Sequence, residues 1–84
     1  MKITFSSQAW DEYLYWQGHD KATLKRINAL IKDIMRHPFD GIGQPEPLKH
    51  DWSGYWSRRI DQEHRLVYEI SDDALLIAQC RYHY

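Results

Sequence analysis

The sequence predicts a small α+β domain in which two helices pack on one face of an antiparallel sheet. Three observations favour this fold class. A short alternating run near the start is followed by two helical patterns, and three strand-like runs come after a long loop. Because amphipathic helices and half-buried sheets must each cover one face, we expect a two-layer fold, with residues 1–84 as a single domain.

The first strand and the first helix are predicted near the start of the chain. "KITFS" alternates as a strand does, and Ser6 or Ser7 can cap a helix that runs to about Gln17 and is closed by Gly18. We expect its buried face to be aromatic and aliphatic, formed by Trp10, Tyr13, Leu14 and Trp16.

The second helix has the clearest periodicity. Asp20 is a suitable N-cap for "KATLKRINALIKDIMRH", and Pro38 ends the helix. Its apolar residues recur at helical spacing and form one face: Leu24, Ile27, Leu30, Ile31, Ile34 and Met35. Four basic residues line up on the opposite side and form a basic stripe: Lys21, Lys25, Lys32 and Arg36.

A long loop and three strands are predicted for the rest of the chain. Prolines and glycines mark residues 38–54 as a loop, and its length in so small a domain favours a functional role. The runs "YWSRRI", "HRLVYEI" and "LLIAQCRYH" are separated by short polar turns, which predicts antiparallel pairing. Alternation places Arg65 away from the apolar side of its strand, and Gln79, Arg81 and His83 on one side of the last strand.

Composition and charge limit the function classes. Eleven Lys and Arg against twelve Asp and Glu give a net charge of −1, which excludes binding of nucleic acid through bulk charge alone but allows a local basic surface. Cys80 is the only cysteine, so no internal disulfide forms. The opening residues lack the apolar run of a signal peptide, and no stretch approaches the roughly 18 apolar residues of a membrane helix. We therefore expect a cytoplasmic protein without a membrane partner.

Charged side chains in the loop and sheet suggest phosphodiester chemistry. Glycine-rich phosphate loops, nucleophile elbows and metal-ligand spacings are absent, so we predict neither a cofactor nor a metal. A carboxylate, an imidazole and several guanidiniums on one face suit metal-free RNA cleavage. The carboxylate would take the proton of a 2′-hydroxyl, and the imidazolium would protonate the departing 5′-oxygen. The candidate residues are Glu46, Lys49, Arg58, Arg59, Arg65, His83 and Tyr84.

Each candidate also has a simpler explanation. Glu46, held extended between two prolines, has the pattern of an ordinary solvated carboxylate. Arginines on the outer face of a strand usually form surface ion pairs worth under about 1 kcal/mol. A terminal His-Tyr pair is commonly disordered. From the residues alone, RNA cleavage is one of several readings.

Four separated stretches carry a resemblance to a known family. At "PEPLKH", "YWSRRI", "EHRLVY" and "CRYHY" the sequence closely resembles the YoeB toxins of the RelE-like toxin superfamily, and the similarity covers essentially the whole chain. The resemblance implies a fold similar to microbial ribonucleases and a type II toxin–antitoxin toxin. Such a toxin is a ribosome-dependent mRNA endonuclease that cuts the message in the ribosomal A site and inhibits translation. The resemblance also implies a YefM-like antitoxin partner and a homodimer.

The resemblance also implies roles for individual residues. The general base falls on Glu46 and the general acid on His83. Arg65 falls on the residue that contacts the phosphate and transition state, with Lys49 and Arg59 in supporting positions.

Tyr84 falls on a further required residue that orients or stacks the substrate. For the basic stripe (Lys21, Lys25, Lys32 and Arg36) the resemblance suggests contact with ribosomal RNA phosphates, and an ordinary solvated helix surface is the alternative. Two other functions stay open. One is an inactive module that only binds the ribosome or a partner, and the other is a ribonuclease that acts on free RNA.

Overall fold

The computed structural model describes all 84 residues and confirms the α+β class, with two helices and a five-stranded sheet. The strand order is β1-β5-β4-β3-β2; β1 joins β5 in parallel, and the other neighbours are antiparallel. The elements in chain order are β1 Lys2–Phe5, α1 Ser7–His19, α2 Lys21–Arg36, β2 Glu46–Pro47, a 3₁₀ turn His50–Trp52, β3 Trp56–Arg59, β4 Arg65–Ser71 and β5 Ala74–Gln79. Neither α-helix has both the length and the apolar character that a membrane span requires.

The second helix follows its predicted pattern closely. Asp20 caps it by accepting the backbone N–H of Thr23 at 3.1 Å. Its inner face packs in one core with residues of β4 and β5, and Met35 at the edge of that face is exposed. The fully buried residues of this core from α2, β4 and β5 are Ile27, Leu30, Ile34, Leu66, Tyr68, Leu75 and Ile77.

The predicted inner face of α1 is wrong in part. Ser6 caps the helix, but Gly18 lies inside its last turn. Trp10 and Leu14 are exposed, and Glu12 is buried beside Trp16 instead. Glu12 turns inward because its carboxylate accepts a main-chain N–H near the end of β5. Trp10 instead joins an aromatic cluster with Phe5 and Tyr13, whose ring centroids lie 5.3–5.8 Å apart.

Arg58 lies on the helix side of the sheet, not on the outer face. Neighbouring residues of a strand point to opposite faces, so Arg58 and Arg59 cannot share one. Arg58 is fully buried, and its guanidinium donates to the Asp33 carboxylate at 2.7 Å and to the Tyr68 hydroxyl at 3.2 Å. It also donates to the main-chain oxygens of His37, Asp40 and Ile42. These bonds close the loop that follows α2.

The last strand is shorter than predicted. β5 ends at Gln79 after an irregular register near Val67, and its continuation leaves the sheet. Arg81 stacks on α1, with its guanidinium carbon 3.5 Å from the centre of the Tyr15 ring. Tyr82 adopts a left-handed backbone with φ +67°. Residues Cys80–Tyr84, named here the closing segment, are therefore irregular, and His83 does not extend a strand.

Candidate active site

Three of the predicted site residues share the sheet face that points away from the helices. Glu46 in β2 pairs with Ser57 in β3, and Arg59 lies two residues further along β3. Arg65 in β4 is directly opposite Arg59. Because side chains two apart on a strand, or opposite each other across strands, point to the same side, Glu46, Arg59 and Arg65 face the same region.

The closing segment returns to this face and contacts Glu46. The Tyr84 hydroxyl donates to Glu46 Oε1 at 3.1 Å, which leaves Oε2 free to accept a proton. The His83 ring lies 4.4 Å from the Tyr84 ring. His83 Nδ1 lies 3.0 Å from the main-chain oxygen of Tyr84, and when Nδ1 donates there, Nε2 is left for another partner. A carboxylate and an imidazole are thereby held on one exposed surface.

The cationic side chains near Glu46 carry no carboxylate partner. The Arg65 guanidinium donates to the main-chain oxygen of Asp61 at 3.0 Å. Arg59 and Lys49 are exposed, and none of these three cations forms an ion pair. The surface ion pairs that would have explained these residues without a function are therefore absent. The side chains are available to an anion such as a phosphate.

A cavity of about 480 Å³ opens beside Glu46. It is lined by Glu46–Trp52 and Tyr84, so Lys49 lies at the same cavity as the Tyr84–Glu46 pair. Ligand-binding cavities commonly have volumes of roughly 300–1,000 Å³. The cavity is thus large enough for part of a nucleotide chain.

Left-handed backbone is found on both sides of this site. Gln44 has φ +53° and His50 has φ +58°, so one such residue lies on either side of Glu46 along the chain. Tyr82, just before His83, has φ +67°. Residues other than glycine seldom adopt this region, and such conformations are concentrated at functional sites.

The closing segment is anchored by residues that sequence reasoning did not select. The backbone N–H of Cys80 donates to Glu12 Oε1 at 2.8 Å, and its carbonyl accepts the Trp16 indole N–H at 2.9 Å. The Tyr82 backbone N–H donates to His64 Nδ1 at 2.6 Å. No sequence signal marks Glu12 or His64, because their partners are main-chain groups far away in the chain.

Cys80 is unsuited to nucleophilic chemistry here. It is fully buried, and burial raises the pKa of its thiol to about 12. The thiol therefore stays protonated at neutral pH and acts as a small apolar side chain.

The basic stripe lies in the other layer of the molecule. All four side chains are exposed on α2 and form no ion pairs: Lys21, Lys25, Lys32 and Arg36. Because α2 packs on the sheet face opposite Glu46, the structure does not bring the stripe and the candidate active site together.

Comparison with known proteins gives a consistent family. The family described as YoeB-like toxin of bacterial type II toxin-antitoxin system matches residues 5–84. The chain is 64% identical to Toxin YoeB of Escherichia coli strain K12 over 84 residues, which is 100% of both chains.

Solved structures agree with this similarity. A YoeB/ParE toxin from Agrobacterium tumefaciens has a TM-score of 0.98 at 49% identity, with 100% of both chains covered. A YoeB chain from a heterotetrameric YoeB–YefM toxin–antitoxin complex of Staphylococcus aureus has a TM-score of 0.93 at 52% identity, covering 100% of this chain and 98% of that one. A YoeB dimer from the same species gives the same values.

Proposed function

This chain belongs to the YoeB-like toxins of bacterial type II toxin–antitoxin systems, and from that premise we propose that it cleaves mRNA in the ribosomal A site and thereby inhibits translation. The observation that carries the proposal is the hydrogen bond between the Tyr84 hydroxyl and Glu46 Oε1. This bond joins the segment that bears a candidate general acid to a candidate general base. The proposed enzyme is an endoribonuclease that uses acid–base catalysis without a cofactor.

The geometry suits transfer of two protons around one phosphodiester. Glu46 Oε2 accepts the proton of the ribose 2′-hydroxyl, and the 2′-oxygen attacks phosphorus. The bond from phosphorus to the 5′-oxygen breaks, and the imidazolium of His83 protonates that oxygen from Nε2. The products are a 2′,3′-cyclic phosphate and a free 5′-hydroxyl, so charge and protons balance.

The unpaired cations stabilise the charge that develops during this step. Arg65 is half-buried and oriented by its bond to the Asp61 carbonyl, which suits it to a fixed phosphoryl oxygen. Arg59 opposite it and Lys49 at the cavity add positive charge. Tyr84 orients Glu46 through its hydroxyl and presents an exposed ring to a base.

The exposure of the site supports the proposed dependence on the ribosome. Glu46, His83 and Tyr84 are all exposed, and the cavity alone does not enclose a nucleotide chain. A flexible RNA would therefore need external support to keep its 2′-hydroxyl in line with the leaving oxygen. Message held in the ribosomal A site has that support, and we propose mRNA and ribosomal RNA as partners of a cytoplasmic protein.

Antitoxin binding and dimerisation are proposed from relatives and from one surface. A relative from Staphylococcus aureus is described in a heterotetrameric complex with YefM, and another as a dimer. In this chain, large apolar residues are exposed on β1 and α1, including Ile3 at 41% and Trp10 at 47%. β1 is also an edge strand, so one side of its backbone is unpaired within the chain. We assign a second copy of this chain to that surface and a YefM-like antitoxin as the cognate inhibitor.

The catalytic proposal is tested by primer extension on a defined message in programmed ribosomes. We expect Glu46→Ala and His83→Ala each to lower the cleavage rate by roughly 100- to 10,000-fold, because each removes one proton-transfer group. Asp11→Ala and His37→Ala are matched controls, since both change exposed side chains outside the site and should cleave normally.

The same assay separates the other functions. Stalled ribosomes on an intact message would mean that the protein only binds. Cleavage of naked RNA at the same rate would mean a ribonuclease that does not need the ribosome.

The basic stripe is proposed to contact ribosomal RNA phosphates. Reversing two charges in Lys25→Glu/Lys32→Glu should weaken ribosome binding, and the difference from wild type should shrink as salt concentration rises. Binding is measured by sedimentation at several salt concentrations. Equal binding by the two proteins at low salt would leave the stripe as an ordinary solvated surface.

A further inference from the structure

The backbone at Tyr82 is strained and is held by two consecutive residues of another part of the chain. An aromatic residue at φ +67° is a rare conformation that persists only where its surroundings impose it. Tyr82 is 53% exposed, so burial of the residue does not compensate for the strain. Its backbone N–H donates to His64 Nδ1 at 2.6 Å, and its carbonyl accepts the Arg65 backbone N–H at 3.0 Å. The turn is therefore imposed from residues 64 and 65.

His64 is itself held in place. It is only 8% exposed, and its backbone N–H donates to Asp61 Oδ1 at 2.7 Å. Its ring meets Trp16 edge to face, with centroids 4.9 Å apart. Nε2 lies 3.5 Å from Glu63 Oε1. The acceptor nitrogen that meets Tyr82 is thus fixed by contacts on the other sides of the ring.

From this geometry we propose that His64 is a positioning residue of the cleavage reaction: by accepting the Tyr82 N–H, it holds the turn that directs His83 and Tyr84 toward Glu46. The proposal rests on the proposed function for its chemistry, but the bond itself does not depend on it. His64 does not contact the reacting groups, since both its ring nitrogens face protein atoms.

The bond requires one protonation state. Because Nδ1 accepts, the ring proton lies on Nε2, toward Glu63. A second proton would occupy Nδ1 and turn it into a donor that faces the Tyr82 N–H. The hydrogen bond between His64 and Tyr82 is then lost, and the strained turn keeps only one of the two hydrogen bonds to its main chain.

The charged and titratable groups around the ring come from each element packed against it. Its own loop contributes the carboxylates of Glu63 and Asp61, and β4 contributes the guanidinium of Arg65. Two further charged groups lie beyond Trp16. They are Glu12 of α1 and Arg81 of the closing segment, whose guanidinium carbon is 5.8 Å from the centre of the Trp16 ring. The ring of Tyr82 lies 5.9 Å away.

Two substitutions of His64 differ in whether they keep a hydrogen-bond acceptor for the Tyr82 N–H. In His64→Asn the amide oxygen takes a position similar to Nδ1 and accepts a hydrogen bond at any pH. His64→Leu fills similar space without an acceptor. The measurement is the single-turnover cleavage rate on programmed ribosomes at saturating protein, together with ribosome affinity, from about pH 5.5 to 8.5.

We expect His64→Leu to lower the rate about 100-fold, as displacement of a catalytic group by about 1 Å does, while affinity changes less than about 2-fold. His64→Asn should recover most of the rate, and toward acid pH it should lose less of the rate than wild type, because its amide oxygen remains an acceptor when a ring nitrogen would be protonated. Since His83 is unchanged in all three proteins, the difference between their pH profiles isolates His64. Equal rates for His64→Leu and wild type would overturn the proposal, and if His64→Leu fails to fold, identical acid limbs for wild type and His64→Asn would do so.

A second measurement does not depend on cleavage. If wild type does not cleave mRNA, the proposed function is wrong, but this measurement still tests the hydrogen bond between His64 and Tyr82. Hydrogen exchange of the Tyr82 amide is measured by NMR on the free protein. We expect slow exchange in wild type and His64→Asn, and exchange at least about 10-fold faster in His64→Leu. That result would support the hydrogen bond from the Tyr82 amide to position 64. Equal exchange in all proteins overturns it.

Discussion

Two irregular segments of this protein are held by side chains from elsewhere, and they are held differently. The loop from His37 to Ile42 is fixed by Arg58, which is fully buried. Every N–H of its guanidinium donates a hydrogen bond, either to a main-chain oxygen of this loop or to the side chain of Asp33 or Tyr68. The closing segment is fixed up to Tyr82 by dispersed single bonds, while His83 and Tyr84 beyond it are exposed. The first arrangement favours stability, and the second leaves two reactive side chains accessible. Substitutions should accordingly affect folding in one segment and activity in the other.

The largest expected effect is on the buried guanidinium. Arg58→Met should lower the free energy of unfolding by about 3–5 kcal/mol, since three main-chain carbonyls and the buried Tyr68 hydroxyl lose their donor. Urea denaturation followed by tryptophan fluorescence measures the change. Arg59→Met, one residue away and exposed, is the control and should stay within about 0.5 kcal/mol of wild type. Equal losses of unfolding free energy in Arg58→Met and Arg59→Met would mean that the buried hydrogen bonds of Arg58 add no stability.

A smaller effect is expected at the anchor of the closing segment. Glu12→Leu leaves the buried Cys80 N–H without an acceptor, which should cost about 1–3 kcal/mol of unfolding free energy. Glu12→Gln keeps an oxygen at that position and should lose less. The cleavage rate per folded molecule should fall in Glu12→Leu as well, in contrast to Arg58→Met. If the cleavage rate of folded Glu12→Leu is unchanged, this anchor stabilises the fold without positioning the site.

The smallest effect concerns acid stability of the loop. The hydrogen bond from Arg58 lowers the pKa of Asp33 below its usual range, with a further contribution from the Ile42 N–H. A carboxyl with a lowered pKa adds stability above its unfolded pKa, near 3.9, and loses it as pH falls through the folded value. Unfolding free energy should therefore drop more steeply below about pH 4 in wild type than in Asp33→Asn. Parallel pH curves would show that this carboxyl contributes nothing.

The parts of the fold that could be predicted are those set by local periodicity. The spacing of Ile27, Leu30 and Ile34 determines the buried face of α2, and Ser6 and Asp20 have the side chains that cap helices. The inner face of α1 could not be predicted in this way. Its aromatic residues suggested burial, whereas Trp10 is exposed. Glu12 is buried because its carboxylate accepts the N–H of Cys80, 68 residues away in the chain.

The site was predicted as a set of residues and not as a geometry. Resemblance assigned roles to Glu46 and His83, and those roles remain proposals. The contact that brings the closing segment to Glu46 depends on a left-handed turn at Tyr82, and side-chain type gives no sign of such a turn outside glycine. Arg58 shows the same limit, because alternation placed it opposite Arg59 while its chemistry suggested a shared face.

The position of β5 has a consequence for the order in which the protein is completed during synthesis. β5 lies between β1 and β4, so the first strand made has no sheet neighbour until residues 74–79 have left the ribosome. Pairing of Lys2 with Ala74 closes a loop of nearly the whole chain, which is slow compared with helix formation. Residues 80–84 follow β5, so Tyr84 can reach Glu46 only after residues 74–79 have been made. The candidate active site is therefore assembled later than α1 and α2, and only once the residues that follow β5 have been made.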